Sequence, residues 1–186
     1  MKSLLALPNT GAGSLIGLVV MYTYFVVLGI LCLYGFHRYL MVYLYYRHAR
    51  KDPKVVKTFE TLPPVTVQLP IFNEMYVAER LIDASCAIDY PREKLQIQVL
   101  DDSTDETQQV ARAKVEEWRA RGVDIEYVHR TDRSGYKAGA LDHGMKTAKG
   151  EFIALFDADF VPNADFLQKT IHHFTEEKAG CVQARW

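Results

Sequence analysis

Two aspartates follow an apolar run late in the chain. The segment 151–166 has the sequence EFIALFDADFVPNADF, in which Asp157 and Asp159 are separated by one small residue. In an extended segment, residues i and i+2 point the same way and lie about 6.5–7 Å apart. We therefore expect Asp157 and Asp159 to act together on one divalent cation, Mg²⁺ or Mn²⁺. Such a cation usually takes substrate phosphates and water as its remaining ligands.

A segment with phosphate-binding chemistry lies upstream, at RTDRSGYKAGAL (130–141). Gly135 and Gly139 permit close approach of the backbone, and the amino terminus of a following helix offers free N–H groups. Lys137 adds a mobile positive charge. The G-x-x-x-x-G-K-[ST] spacing of a P-loop is absent, so the segment predicts a phosphate site of another type.

Acidic residues also end an earlier apolar run, in the sequence VLDDSTDET (99–107). Ser103 and Glu106 have the spacing of a helix capping box, which predicts a structural role for both. Asp101 and Asp102 are not needed for that cap. A carboxylate at this position could accept hydrogen bonds from a ribose hydroxyl or a base N–H, as in dinucleotide folds, and a purely structural role is the open alternative.

A third run, QLPIFNE (68–74), ends with an aromatic residue and a polar one. Phe72 offers a flat face on which a nucleobase could lie, and Asn73 suits the N-cap of a following helix.

Predicted strands and helices alternate through this part of the chain, which indicates an α/β fold with a mostly parallel sheet and helices on both faces. Ligands bind such sheets outside the carboxyl ends of the strands, where the polar segments above fall. The predicted strands cover 65–69, 95–100, 123–129 and 151–156, with a fifth beginning at 180–186. The predicted helices cover 73–88, 105–122, 136–150 and 163–177.

The amino-terminal part differs in composition. Residues 3–36 contain no Lys, Arg, Asp, Glu or His, and 14–36 form an apolar run of 23 residues. Roughly 20 apolar residues cross a bilayer, whereas the apolar region of a signal peptide has about 7–15. The sequence therefore predicts a retained transmembrane helix.

The residues after this span predict its orientation. Basic residues outnumber acidic ones there, which favours a cytoplasmic location for the rest of the chain. Four tyrosines in the same segment suit the membrane interface, and a short second membrane-embedded piece is disfavoured because 39–46 cannot span. The basic residues are Arg47, Arg50, Lys51, Lys54 and Lys57, and the tyrosines are Tyr39, Tyr43, Tyr45 and Tyr46.

The overall composition excludes some classes of function. A net charge of -1 with 49% hydrophobic residues argues against a disordered chain and against a nucleic-acid partner. Cys32, Cys86 and Cys181 have no metal-binding or disulfide spacing, which fits a reducing compartment.

FDADFV also fits the start of haloacid-dehalogenase-type phosphatases, in which the first aspartate is a nucleophile. That alternative is disfavoured because only 27 residues follow Asp159, too few for the downstream residues that those enzymes need.

Five motifs in order, LPIFNE, QVLDDSTD, GYKAGAL, FDADF and VQARW, resemble family 2 glycosyltransferases. The likeness covers about 64–186 and is closest to the cellulose synthase-like membrane group, particularly its glucomannan (mannan) synthase-like branch. It implies a Rossmann-like GT-A domain that uses a nucleotide sugar. The implied organisation is a tail (1–13), a transmembrane helix (14–36), a basic, Tyr-rich interfacial segment and linker (37–63) and a partial GT-A domain (64–186).

The resemblance also implies roles for individual side chains. It places Phe72 and Glu74 in the nucleotide pocket, Asp101 and Asp102 at the base or ribose, Lys137 and Asp157 at the diphosphate, and Asp157 and Asp159 on the metal. We do not find the family's T/S-E-D general base or its carboxyl-terminal membrane helices. The family's Q-x-x-R-W motif is not found either, because 183–186 is Q-x-R-W, one residue shorter. We therefore assign no catalytic base and expect a carboxyl-terminally truncated piece of a longer enzyme.

The function implied is transfer of a hexose, with inversion, from UDP-glucose or GDP-mannose to a β-linked polysaccharide. The enzyme would lie in a bacterial inner membrane or a Golgi membrane with its glycosyltransferase domain in the cytoplasm. Two alternatives stay open: a polyprenyl-phosphate glycosyltransferase, which uses a lipid acceptor, and a catalytically incompetent protein that binds nucleotide sugars.

Overall fold

The computed structural model describes residues 11–48 and 54–184, which fall in two units divided after Pro53. The amino-terminal tail to residue 10, the basic residues Arg50 and Lys51, and the last two residues of the Q-x-R-W sequence lie outside the described residues.

The described residues of the first unit, 11–48, form one helix, α1 (Gly11–His48), of 38 residues. At 1.5 Å per residue it is about 57 Å long, against about 30 Å for the hydrocarbon core of a bilayer. By length and composition Ser14–His48 is a candidate membrane span, and an 18-residue window within it has a mean hydropathy of 2.5. The helix continues without a break through the tyrosines for which the sequence predicts an interfacial location.

The second unit is built on a parallel sheet with the strand order β3-β2-β1-β4. Its strands are β1 (Val65–Ile71), β2 (Leu95–Asp101), β3 (Ile125–His129) and β4 (Phe152–Leu155). Val65 is paired with Leu95 on one side and with Phe152 on the other, so the carboxyl ends of β1 and β2 come level. The predicted α/β architecture with a parallel sheet is confirmed.

Four helices connect and follow the strands, and each begins later or ends earlier than the sequence pattern indicates. They are α2 (Met75–Cys86), α3 (Thr107–Ala120), α4 (Tyr136–Met145) and α5 (Phe166–Thr170), with 3₁₀ turns at Arg92–Lys94 and Ile171–Thr175. The helix predicted over 136–150 ends at Met145, and the one predicted over 163–177 changes to a 3₁₀ turn after Thr170.

The predicted fifth strand is wrong for the residues that the structure describes. Residues 180–184 have no regular structure, and Val182 and Gln183 instead line a cavity beside β4. An apolar pattern of a few residues expresses strand propensity but does not supply a partner strand, and pairing decides whether a strand forms.

The two faces of the sheet differ in chemistry because side chains alternate along each strand. Val67 and Leu69 of β1 and Ile97 and Val99 of β2 are fully buried in the apolar core, which also contains residues of α2 and α3. The intervening positions of the same strands are polar and equally buried: Thr66, Gln68, Gln96 and Gln98. Both α2 and α3 contact the strands from the apolar side, and α4 contacts β1 and β2.

Candidate functional site

A cavity of about 200 Å³ lies where β1 and β2 end and α4 begins. It is lined by Pro70, Ile71, Phe72, Glu74, Leu100, Asp102, Arg133, Lys137 and Ala140. Four side chains that the sequence predicts for a nucleotide site therefore meet at one place, although they come from three separate segments of the chain. These four are Phe72, Glu74, Asp102 and Lys137.

Asp102 is held in this cavity by Arg130. Nε of Arg130 donates to Oδ1 of Asp102 at 2.8 Å, and Nη2 donates to Oδ2 at 2.5 Å. Both side chains are largely buried, with exposed fractions of 12% for Arg130 and 5% for Asp102. The hydrogen bonds to Asp102 raise the pKa of Arg130 above its ordinary value. The two hydrogen bonds fix the orientation of the Asp102 carboxylate.

Arg130 is a residue that the sequence interpretation missed. A buried aspartate requires a cationic partner, which is a usable signal. The segment 130–137 offers Arg130, Arg133 and Lys137, however, and their spacing does not say which of them pairs with Asp102.

Asp101 lies outside the cavity and is fully buried. Its Oδ1 accepts from the Ser103 amide at 2.8 Å, and its Oδ2 accepts from the Tyr127 hydroxyl at 2.7 Å. Burial, followed by this hydrogen bond, raises the pKa of Tyr127. These contacts give Asp101 a structural role at the end of β2, and its contact with a nucleotide stays a prediction.

The predicted capping box is wrong. Ser103 Oγ accepts from the amide of Asn73 at 2.9 Å, and the amide of Thr104 donates to Oδ1 of Asn73 at 2.9 Å. The amide of Thr107, the first residue of α3, donates instead to Oδ1 of Asp105 at 3.0 Å. The serine hydroxyl is engaged by a neighbouring strand end, so it does not cap its own helix.

Asn73 is likewise not the N-cap of α2, which begins at Met75 with Glu74 before it. Its φ of 53° lies in the left-handed region, which asparagine tolerates better than most residues. The exchange of hydrogen bonds with Ser103 and Thr104 fastens the loop after β1 to the loop after β2.

Phe72 is covered on one side by an arginine. The guanidinium carbon of Arg133 lies 3.3 Å from the centroid of the Phe72 ring and 5.1 Å from that of Tyr136. Cations are attracted to aromatic faces, so this contact orders an otherwise exposed arginine at the cavity wall. The sequence gives no signal for this pair, because either arginine of the loop could reach an aromatic ring.

The loop before α4 has an unusual backbone. Gly135 and Tyr136 have consecutive positive φ angles, 72° and 50°. A Cβ at Gly139 would lie 2.1 Å from the carbonyl oxygen of Ser134, so glycine is required there. The two glycines thus permit the predicted close backbone approach, and the approaching atoms belong to the chain itself. Arg130 supports the same loop through Nη2, which donates to the Tyr136 carbonyl at 3.1 Å.

Asp157 and Asp159 follow β4 in a turn and not in an extended segment. Strand β4 ends at Leu155, and the amide of Phe160 donates to the carbonyl of Asp157 at 2.9 Å. The prediction that the two aspartates point the same way assumed an extended segment, and that assumption is wrong. Asp157 is exposed, and one of its carboxylate oxygens forms an ion pair with Nζ of Lys137.

The pKa of Glu74 depends on the neighbouring carboxylates. Partial burial and then the charges of Asp159 and Asp157 raise the pKa of Glu74, while Lys137 lowers it. Mutually repelling carboxylates are stabilised by a cation, and oxygen atoms are the ligands that Mg²⁺ and Mn²⁺ prefer. Asp157 and Asp159 thus suit a divalent cation whose other ligands come from a bound molecule. Among residues 11–48 and 54–184, no group of three or more His, Cys, Asp or Glu side chains is arranged to hold a metal.

Lys137 links the two parts of the site. It lines the cavity with Phe72 and Asp102, and it also lines a second cavity of about 230 Å³ with Asp157. The second cavity continues past Phe160 to the segment at Val182. A lysine at the amino-terminal turn of a helix, between two cavities and beside acidic groups, can bind a phosphate group.

The second unit is similar to known proteins over most of its length. The model of the family "Glycosyl transferase family 2" matches residues 66–186. Glucomannan 4-beta-mannosyltransferase 9 of Arabidopsis thaliana is 44% identical over 129 residues, which are 67% of this chain and 24% of that protein. Glucomannan 4-beta-mannosyltransferase 1 of Oryza sativa subsp. japonica is 45% identical over 129 residues, 67% of this chain and 25% of that protein.

A solved structure is similar over more of the chain. The mannosyltransferase PcManGT from Pyrobaculum calidifontis, in complex with GDP-Man and Mn²⁺, has a TM-score of 0.67 and 31% identity, covering 83% of this chain and 46% of that one. This chain spans about a quarter of the length of the curated plant relatives. The predicted resemblance to cellulose synthase-like mannan synthases and the predicted GT-A fold are confirmed. The chain belongs to glycosyltransferase family 2.

Proposed function

We propose that this chain forms the donor-binding part of a membrane-bound mannosyltransferase that uses GDP-mannose. The observation that carries the proposal is the cavity at the carboxyl ends of β1 and β2, in which Phe72, Glu74, Asp102 and Lys137 come together. The choice of GDP-mannose over UDP-glucose is supported by the two glucomannan 4-beta-mannosyltransferases and by the archaeal mannosyltransferase, whose structure contains GDP-Man and Mn²⁺.

The residues of the cavity suit the parts of a sugar nucleotide. The face of Phe72 would receive the base, and the carboxylate of Asp102, fixed by Arg130, would accept hydrogen bonds from the base or ribose. Lys137 and the amino-terminal turn of α4 would bind the diphosphate. Asp157 and Asp159 would hold Mg²⁺ or Mn²⁺, which when bound supplies positive charge beside the phosphates.

The chemistry that these residues support is stabilisation of a leaving group. Transfer of the hexose leaves an additional negative charge on the nucleoside diphosphate, and Lys137 is placed to offset it electrostatically. Donation from Lys137 requires that its ion pair with Asp157 open or be shared when the diphosphate binds. We assign no general base to any residue of the chain.

The acceptor and the location are parts of the same proposal. A β-linked polysaccharide as acceptor, with inversion at the transferred carbon, is supported by the names of the plant relatives, which are glucomannan 4-beta-mannosyltransferases. Anchoring in a bilayer is supported by the length and hydropathy of α1. The basic residues after the span support a cytoplasmic location for the second unit.

A binding assay tests the donor assignment. The detergent-solubilised chain is titrated with GDP-mannose and with UDP-glucose, each with Mn²⁺, with Mg²⁺ and with EDTA. We expect metal-dependent binding that prefers GDP-mannose, and its loss in Asp159→Ala but not in Asp165→Ala, an exposed aspartate that pairs with Lys169. Metal-dependent binding that prefers UDP-glucose would overturn the donor, and unchanged binding by Asp159→Ala would overturn the metal site.

A transfer assay separates binding from catalysis. Transfer of mannose to a mannan oligosaccharide would support a polysaccharide acceptor. Transfer to a polyprenyl phosphate instead would contradict a polysaccharide acceptor. Donor binding without transfer to either acceptor would identify a nucleotide-sugar-binding chain.

A further inference from the structure

Four buried polar side chains form a continuous group on one face of the sheet, here called the polar ladder: Thr66, Gln68, Gln96 and Gln98. Their exposed fractions are 0%, 1%, 4% and 0%. In the register of the sheet Thr66 is opposite Gln96 and Gln68 is opposite Gln98. Each opposed pair is hydrogen-bonded: Thr66 Oγ1 donates to Oε1 of Gln96 at 2.8 Å, and Nε2 of Gln68 donates to Oε1 of Gln98 at 3.0 Å.

The remaining groups of the polar ladder face the carboxyl end of α4 and the turn that follows it. Nε2 of Gln98 donates to the Gly144 carbonyl at 3.0 Å and to Thr147 Oγ1 at 2.8 Å. Nε2 of Gln96 donates to the Thr147 carbonyl at 3.1 Å. The Gly144 carbonyl also accepts from the amide of Thr147 at 3.2 Å, so Gln98 adds a second donor to the end of the helix, and Gln96 supplies a donor to a carbonyl of the turn.

The same ladder accepts hydrogen bonds from the chain as it leaves α4. The amide of Lys149 donates to Oε1 of Gln96 at 2.8 Å, and the amide of Gly150 donates to Oγ1 of Thr66 at 2.8 Å. A buried polar group costs stability unless it is paired, and a fully paired network instead selects one arrangement. The polar ladder therefore defines where α4 ends and how it crosses the sheet.

Apolar packing contributes little to holding α4. Within this helix, all of which the structure describes, the buried residues are Ala140 and Gly144. A Cβ at Gly144 would lie 2.7 Å from Nε2 of Gln68, 2.9 Å from Cδ2 of Leu100 and 3.0 Å from Oε1 of Gln98, so the helix backbone contacts the two glutamines and Leu100 directly. Two small residues bury little area, so the hydrogen bonds of the ladder contribute much of what holds the carboxyl end of the helix.

We propose that the polar ladder positions Lys137 and the amino-terminal turn of α4 for the donor's diphosphate, an inference that rests on the proposed function. Lys137 lies about 10 Å along the helix from Gly144, and a helix of this length moves as one body. Arg130 holds the Tyr136 carbonyl at the start of α4, so a shift at the ladder would tilt the helix about that point and move the side chain of Lys137, whereas Phe72 and Asp102 are fixed by β1, β2 and Arg130. Gln98, with two bonds to the helix end, is the main positioning residue.

The test compares GDP with guanosine, both in the presence of Mn²⁺, in the full chain and in Gln98→Met. Methionine keeps the length of the side chain and removes its amide. We expect the affinity for GDP to fall about ten-fold, as for a misplaced binding group, while the affinity for guanosine, which lacks phosphates, is unchanged. The ratio of the two affinities is a readout that a general loss of stability does not change.

Two controls complete the experiment. Val115→Ala opens a space in the core beside α3, so it should lower the melting temperature without changing the ratio of affinities. Gln109→Met changes an exposed glutamine of α3 and should change neither quantity. If Gln98→Met does not fold, Thr147→Val removes one acceptor of Gln98 at an exposed position and should shift the ratio in the same direction by less.

The outcomes distinguish this inference from the proposed function. The positioning role alone would be overturned if the wild-type chain binds GDP more tightly than guanosine and Gln98→Met and Thr147→Val show the same ratio of affinities as the wild type. If the wild-type chain binds GDP and guanosine equally, α4 does not contribute to diphosphate binding, and the positioning role is overturned as well. A wild-type chain that binds neither overturns the proposed function and this inference together.

Discussion

Arg130 and Asp102 form a two-point ion pair across 28 residues of sequence, and this pair connects the end of β2 to the loop before α4. The same guanidinium donates to the carbonyls of Tyr136 and, at 3.4 Å, of Ser134. One arginine thus fixes both a carboxylate in the cavity and the backbone that leads to Lys137.

Removing this arginine should destabilise the protein. Arg130→Ala leaves the Asp102 carboxylate buried without its partner, and we expect the free energy of unfolding to fall by about 3–5 kcal/mol. Urea unfolding of the detergent-solubilised chain, followed by tryptophan emission, measures this change. Lys169→Ala breaks an exposed pair with Asp165 and should cost less than about 1 kcal/mol. An equal effect of the two substitutions would contradict the role given to Arg130.

Lys137 should matter for ligand binding and not for folding. Its pair with Asp157 is exposed, with exposed fractions of 47% and 57%, so Lys137→Met should change the free energy of unfolding by less than about 1 kcal/mol. The same variant should bind GDP at least about ten-fold more weakly, because a charge-assisted contact to phosphate is lost. Isothermal titration gives the affinity. Lys149→Met, which breaks a comparable exposed pair with Asp124, is the matched control and should bind GDP normally.

Glu74 should make stability depend on pH. Its pKa is raised above 4.5 by partial burial and by Asp159 and Asp157. A carboxyl whose folded-state pKa exceeds its unfolded value stabilises the folded state fully below the unfolded pKa and loses that contribution as pH rises through the folded pKa. In the absence of metal, Glu74→Gln should therefore raise the melting temperature at pH 7, and its advantage should disappear as the pH falls below about 4.5.

A control for this prediction lies on α2, the helix that follows Glu74. Glu79→Gln changes an exposed carboxyl of α2 and should not raise the melting temperature at pH 7. A melting temperature of Glu74→Gln equal to that of the wild type at pH 7 would show that the acidic cluster carries no repulsion.

Cys181 offers a test of orientation. Its side chain is exposed in the second unit, whereas Cys86 is buried, and burial raises the pKa of the Cys86 thiol to about 12, so Cys86 should react slowly. In sealed cells a membrane-impermeant maleimide should leave Cys181 unmodified, and it should react after permeabilisation, because the predicted location is cytoplasmic. Cys181→Ser identifies the labelled site. Labelling of Cys181 in sealed cells would reverse the predicted topology.

The local pattern of the sequence was enough to predict the main elements of the fold. Alternation of apolar runs with helical periodicity indicates a parallel sheet, and polar residues that follow strands fall at the ligand-binding edge of such a sheet. For this reason the pattern alone could place Phe72, Asp102 and Lys137 near one another, and the resemblance to family 2 glycosyltransferases added Glu74; all four line one cavity.

The ends of the helices and strands, and the partners of individual polar groups, were harder to predict from the sequence. The turn at Asp157 and the absence of a strand over 180–184 depend on which backbone groups find partners, and propensity does not encode this. The capping box failed for the same reason, because the Ser103 hydroxyl found a donor in Asn73 on another strand end.

By itself, the sequence determined the order of the elements and which residue types lie at the ends of the strands, because both follow from local periodicity. The tertiary structure decided the partners: Arg130 for Asp102, Arg133 for Phe72, and the glutamines of the polar ladder for the end of α4. Alternation in VTVQL and LQIQVL puts the polar side chains on one face, and only folding shows that the carboxyl end of α4 and the turn after it cover that face. Such pairings join residues far apart in sequence and are selected by the cost of burying unpaired polar groups, which depends on the whole fold.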